Sequence, residues 1–97
     1  MHGRCFCGKI RFSTAKDPNS VVNCHCDNCK RSVGAPFVTW AVFEKESVIF
    51  NESPLIHTAS NRAIRTFCAT CGTSITYWHP NRENELDITV GCLDEPE

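Results

Sequence analysis

Cysteine placement constrains this chain more than any other feature. Eight of its 97 residues are Cys. Seven fall in three tight groups: Cys5-Phe6-Cys7, Cys24-His25-Cys26-Asp27-Asn28-Cys29 and Cys68-Ala69-Thr70-Cys71, with Cys92 apart. In an extended segment residues i and i+2 point to the same face, so a C-x-C pair can offer two sulfurs to one ion. In C-x-x-C the chain turns between the sulfurs, and a following glycine, here Gly72, can supply the open backbone such a turn uses. Zinc takes four ligands in a tetrahedron, with sulfur at ~2.3 Å.

Disulfides and metal compete for so many thiols. The first residues, Met1-His2-Gly3-Arg4, carry no apolar leader. A cytoplasmic protein with reduced thiols is therefore expected, and metal is the better use. The core also needs it. The apolar share of 41% includes the cysteines. Without them about a third of the chain is apolar, and chains of this size with thin cores usually rely on metal, disulfides or a partner. The length predicts one domain over residues 1–97.

The grouped cysteines divide most naturally as four plus three. Cys5 and Cys7 with Cys68 and Cys71 would close a structural zinc site, tying the N-terminus to a distant segment. Cys24, Cys26 and Cys29 would build a second zinc site locally. Three protein ligands and an open fourth position describe a catalytic zinc. The spacing leaves another division open, in which the triple joins Cys68 and Cys71 and leaves Cys5 and Cys7 as free thiols. His25 would face away from Cys24 and Cys26 if that stretch is extended. His57 and His79 lie on polar, turn-like segments and are expected at the surface. Cys92 either supplies the fourth ligand or, more simply, is a small buried residue near the end of the last strand.

Between the cysteines the chain reads as many short strands. Lys9–Ser13 and Phe37–Phe43 alternate polar and apolar residues, and Val21-Val22, Val48–Phe50, Ile64–Phe67, Ile75–Trp78 and Leu86–Val90 complete the set. Phe37 and Trp40 are expected in the core rather than in a pocket wall. One short helix is predicted from Asp27, as N-cap, to Ser32, stopped by Gly34. Glu44–Glu46 could form a further single turn. The expected fold is mainly β, with sheets coiled around cysteine-bearing turns and no long helix.

The motif order resembles the glutathione-dependent formaldehyde-activating enzyme family, whose vertebrate relatives include centromere protein V. The resemblance rests on Gly3-Arg4-Cys5-Phe6-Cys7-Gly8, on Cys24-His25-Cys26-Asp27-Asn28-Cys29-Lys30-Arg31 with Gly34, on Arg65-Thr66-Phe67-Cys68-Ala69-Thr70-Cys71-Gly72-Thr73, and on Gly91-Cys92-Leu93-Asp94. It implies a fold of coiled β-sheets around zinc, like methionine-R-sulfoxide reductase B and a Rab-binding exchange-factor accessory protein. It also implies the four-plus-three division, with two zinc ions per chain. The activity it implies is carbon–sulfur lyase chemistry: condensation of formaldehyde with glutathione to S-(hydroxymethyl)glutathione. Members of that family usually continue past the Gly-x-Leu-Asp turn, whereas this sequence ends at Glu97. The expectation is a missing strand or substrate wall, and an open edge that could pair with a second copy as a homodimer.

Glutathione carries two carboxylates, so nearby cations would help. Lys30, Arg31 and Arg65 are the candidates, with ordinary solvated charge as the plainer reading. A net charge of −1 gives no basic footprint for nucleic acid, and thiolates on zinc would make the chain more negative still. No apolar run is long enough for a membrane span. The rival to an enzyme is a zinc module that only binds a protein partner. The fourth ligand of the Cys24 site discriminates between them, since a Cys or His there would weaken the enzyme reading.

Overall fold

A computed structural model of the chain describes residues 1–58 and 61–94. In chain order the elements are β1 (His2–Arg4), β2 (Arg11–Thr14), β3 (Ser20–Cys24), α1 (Asp27–Val33), β4 (Val38–Glu44), β5 (Val48–Phe50), β6 (Leu55–Thr58), β7 (Ile64–Phe67), β8 (Ser74–Trp78) and β9 (Glu85–Thr89). Single 3-10 turns cover Lys45–Ser47, Pro80–Arg82 and Val90–Cys92. The mainly β expectation holds, and α1 is the one α-helix among the described residues. No helix there is long and apolar enough to cross a membrane.

The strands form a three-stranded sheet, β1-β2-β5, and a six-stranded sheet, β3-β4-β9-β8-β7-β6. Neighbours run antiparallel. Strand β4 lies between β3 and β9 and is buried on both faces, so Val38, Trp40, Ala41, Val42 and Phe43 are all buried where one-sided alternation was expected. Ala41 and Phe43 join Phe12 of the small sheet, Ile75, Ile88, Cys5, Cys68 and Cys92 in the main core. Val38 and Trp40 pack on the other face with Cys29 of α1. The two faces of the large sheet thus carry different cysteines.

Two strands escape the pattern reading. Strand β1 is His-Gly-Arg, without a β-branched residue. Gly3 is there because the backbone is crowded: a Cβ would collide with the Phe12 ring and the Cys92 carbonyl. Strand β6 is an edge strand whose residues are all exposed, so no burial period marks it. The helix keeps its predicted stop, with Gly34 left-handed at φ 70° and its N–H donating to the Lys30 carbonyl at 2.8 Å. Its N-cap is Cys26, not Asp27. Asp27 instead starts the first turn and pairs with Arg31 at 3.0 Å. Phe37 is not in the core but 44% exposed, with its ring 5.3 Å from that of His25. Val21 and Val22 are exposed as well, because β3 is the opposite edge.

Candidate metal centres

Two C-x-C and C-x-x-C turns converge in the main core. After each turn a glycine sits at positive φ, Gly8 at 82° and Gly72 at 80°. The Gly8 N–H donates to the Cys5 carbonyl at 3.1 Å, and the Gly72 N–H to the Cys68 carbonyl at 2.8 Å. No atom crowds a Cβ at Gly72, so glycine is required there by φ rather than by space. Backbone N–H groups also point at sulfur: Ile10 to Cys5 Sγ at 3.4 Å and Cys71 to Cys68 Sγ at 3.5 Å. The chain thus folds into two matching knuckles whose amides already favour charged sulfur.

The sulfurs of Cys5, Cys7, Cys68 and Cys71 all lie within 4.8 Å of one another. Cys7 Sγ is 3.7 Å from both Cys5 Sγ and Cys68 Sγ. A tetrahedron with ~2.3 Å bonds places sulfurs about 3.8 Å apart, so the donor set and its size suit zinc. Cys5 and Cys68 are fully buried, while Cys7 is exposed. Thr73 joins the two knuckles, a role the spacing did not reveal. Its hydroxyl accepts from Phe6 N–H at 3.1 Å and meets Cys71 Sγ at 3.1 Å. That contact, with the Thr73 and Cys7 backbone N–H groups and Cys68 adding to it, brings the Cys71 thiol down to about 5.

The second cluster is Cys24, Cys26 and Cys29, again with all sulfurs within 4.8 Å. Strand β3 ends on Cys24, Cys26 caps the helix, and Cys29 ends its first turn. The Cys29 N–H donates to Cys26 Sγ at 3.4 Å, which lowers the Cys26 thiol. Burial pushes Cys29 up to about 11, helped by the neighbouring Cys24 and Cys26 sulfurs, while Arg65 and Trp40 oppose the rise. Among the described residues no fourth Cys, His, Asp or Glu joins this cluster. Cys92 is buried in the main core, 3.1 Å from the Thr89 hydroxyl. His79 accepts from the Asn81 N–H at 3.0 Å and lies 3.1 Å from the Asn61 carbonyl, and His57 is exposed on β6.

A cleft of about 460 Å³ opens beside these sulfurs, lined by Cys24, Cys26, Cys29, Trp40, Arg65 and Tyr77 among others. A neighbouring cleft of about 510 Å³ shares Asn28, Trp40, Asn61 and Arg65 with it and includes His57. Trp40 is therefore both core and wall. The strand registers explain the grouping: Cys24 is paired to Val38, Val22 to Trp40, and Val42 through Asp87 to Tyr77 and Arg65. Asp87 is buried on this face and held by Arg82 at 2.8 Å. Of the candidate cations, Arg65 alone lines the clefts. Lys30 is exposed on the helix, and Arg31 is exposed and turned to Asp27.

Fold and sites together define a β protein with two thiol clusters, one of four sulfurs joining distant segments in the main core and one of three at the mouth of a cleft. The chain belongs to the glutathione-dependent formaldehyde-activating enzyme family, which it matches over residues 1–97. It is 30% identical over 88 residues to a Schizosaccharomyces pombe protein named an uncharacterised lyase, covering 91% of this chain and 64% of that protein's length. Its fold is similar to that of a Rhodobacter sphaeroides protein of known crystal structure. The TM-score is 0.80 at 21% identity, over 100% of this chain and 91% of the other.

Proposed function

We propose that the chain is a zinc-dependent, carbon–sulfur lyase-like enzyme that joins glutathione to formaldehyde. One observation carries the reading: three clustered thiols, with no fourth protein ligand among the described residues, stand at the mouth of a cleft. Cys5, Cys7, Cys68 and Cys71 would hold a structural zinc, and Cys24, Cys26 and Cys29 the second. Zinc at the second site would supply an open position that keeps an incoming thiol in its nucleophilic, deprotonated form. Family membership supports glutathione and formaldehyde as the substrates. Eight free thiols fit a reducing, cytoplasmic setting.

The chain's own residues bind and orient the substrates. Trp40 and Tyr77, with ring centroids 5.9 Å apart, give the cleft an apolar floor beside Cys29. Arg65 offers the cation that a carboxylate of the thiol substrate would meet. The reaction balances simply. The thiol loses its proton, sulfur bonds to the aldehyde carbon, and the carbonyl π pair takes a proton as the new hydroxyl. The spontaneous reaction is the reference. Exchange between glutathione and S-(hydroxymethyl)glutathione, followed by NMR, should speed up with the zinc-loaded chain and return to the spontaneous rate with Cys26→Ser. Equal rates with and without the chain would leave a zinc-binding module without catalysis.

A further inference from the structure

The spacing makes the Cys24–Cys26–Cys29 site look local, yet its most buried sulfur is reached from far along the chain. Arg65, on β7, sends Nη2 to within 3.9 Å of Cys29 Sγ, 36 residues away. Its Nη1 donates to the Ser32 hydroxyl at 3.0 Å. That hydroxyl in turn donates to the Cys29 carbonyl at 2.9 Å. The guanidinium lies over the Tyr77 ring, 4.7 Å from its centroid. Both nitrogens of the fork thus lead to Cys29, one through its sulfur and one through its carbonyl, and the ring fixes the plane.

We infer that Arg65 is the positioning residue of the second metal site: it holds the Cys29 sulfur in place and offsets its charge from outside the ligand set. This rests on the proposal that Cys24, Cys26 and Cys29 hold a metal. The chemistry is that of an outer partner orienting a ligand. Three thiolates on a doubly charged ion leave a net negative centre, and a guanidinium in contact with the buried sulfur balances it. The helix carrying Cys29 is only seven residues long. Ser74 adds a weaker tie, its hydroxyl donating to the Ser32 carbonyl at 3.4 Å. A Lys at position 65 would keep the charge but lose the fork and the stacking.

The test uses metal alone. The full chain is loaded with zinc or cobalt(II), and each ion's affinity is measured by chelator competition. Arg65→Met should weaken the labile ion about 10–100-fold and shift its cobalt–thiolate absorption, leaving the tighter ion unchanged. Arg65→Lys should recover part of the affinity. Ser32→Ala should weaken the labile ion less, and add nothing in the Arg65→Met background, because both changes break one clamp. If Arg65→Met fails to fold, Arg65→Lys and Ser32→Ala still carry the comparison. Unchanged affinity and absorption in the variants would overturn the inference alone, as would equal Ser32→Ala effects with and without Arg65. An unsubstituted chain that takes up only one ion would overturn the reading of the site, and this inference with it.

Discussion

The two cysteine clusters use the same ligand chemistry in opposite architectures. The first joins residues 61 positions apart, as between Cys7 and Cys68, and sits in the main core with Cys5 and Cys68 fully buried. The second spans a strand end and one helical turn, with Cys26 exposed and a cleft beside it. The difference teaches how a small protein can separate stability from reactivity. A metal that closes a long loop adds its binding energy to folding. A metal held by adjacent residues closes almost no loop, so its site can stay open.

The largest break in that comparison is Cys68→Ser. A structural zinc contributes on the order of 10 kcal/mol, so the variant should lose its fold or fail to accumulate. Circular dichroism and soluble yield check this. Cys26→Ser should keep the sheet signal and the helix cap, since serine is itself a favoured N-cap, and lose one zinc by elemental analysis. Equal damage from both substitutions would mean that both clusters are structural.

A mild chelator should next separate the two ions in time. The ion at Cys24, Cys26 and Cys29 should leave quickly with little change in circular dichroism, and the other only on unfolding. Glutathione should alter the fast phase alone. Release of both ions in one phase, indifferent to glutathione, would erase the distinction.

Acid sharpens the comparison through Thr73. Its hydroxyl is the strongest of several hydrogen bonds that together lower the Cys71 thiol to about 5 in the fold, against ~8.5 in an unfolded chain. A lowered thiol contributes stability that is complete above the unfolded value and is lost as pH falls through the folded one. Thr73→Val should therefore move acid release of the metal at the four-sulfur site to higher pH, while the fast-leaving ion keeps its profile. A zinc-sensitive dye read across pH tests this. The smallest expected effects belong to Lys30→Ala and Arg31→Ala, which should change melting by no more than about 0.5 kcal/mol and leave thiol affinity unaltered. A clear loss of thiol affinity in either would return these cations to the site.

These contrasts show what could be read from residues. The C-x-C and C-x-x-C spacings marked the sulfur groups, because a knuckle is local chemistry, but left open which groups converge, since that depends on distant strands. Runs of apolar and β-branched residues placed β4 and β9, although both are buried on two faces, and a glycine with a φ requirement placed the helix stop at Gly34. The same reading missed β1, where Gly3 answers to the Phe12 ring and the Cys92 carbonyl, and β6, which buries nothing. It put Phe37 in the core, because an aromatic at a strand's start looks the same whether or not a neighbour covers it. Thr73 and Arg65 gained their roles through contacts 67 and 36 residues away. No periodicity encodes such pairs.

Arg65 and Cys68 lie on one stretch of chain, with β7 ending at Phe67 just before the knuckle. That adjacency links the two proposed metal sites. Strand β7 is held between β6 and β8 and the Cys68 knuckle follows it directly, so a metal there would further pin the strand from which Arg65 reaches Cys29. With zinc bound as proposed, the four-sulfur site that joins distant segments would fill before the three-sulfur site. Given a single equivalent of zinc, the population should be folded and idle rather than half unfolded and half active. Under the proposed function, activity would follow the second equivalent of zinc and not the first.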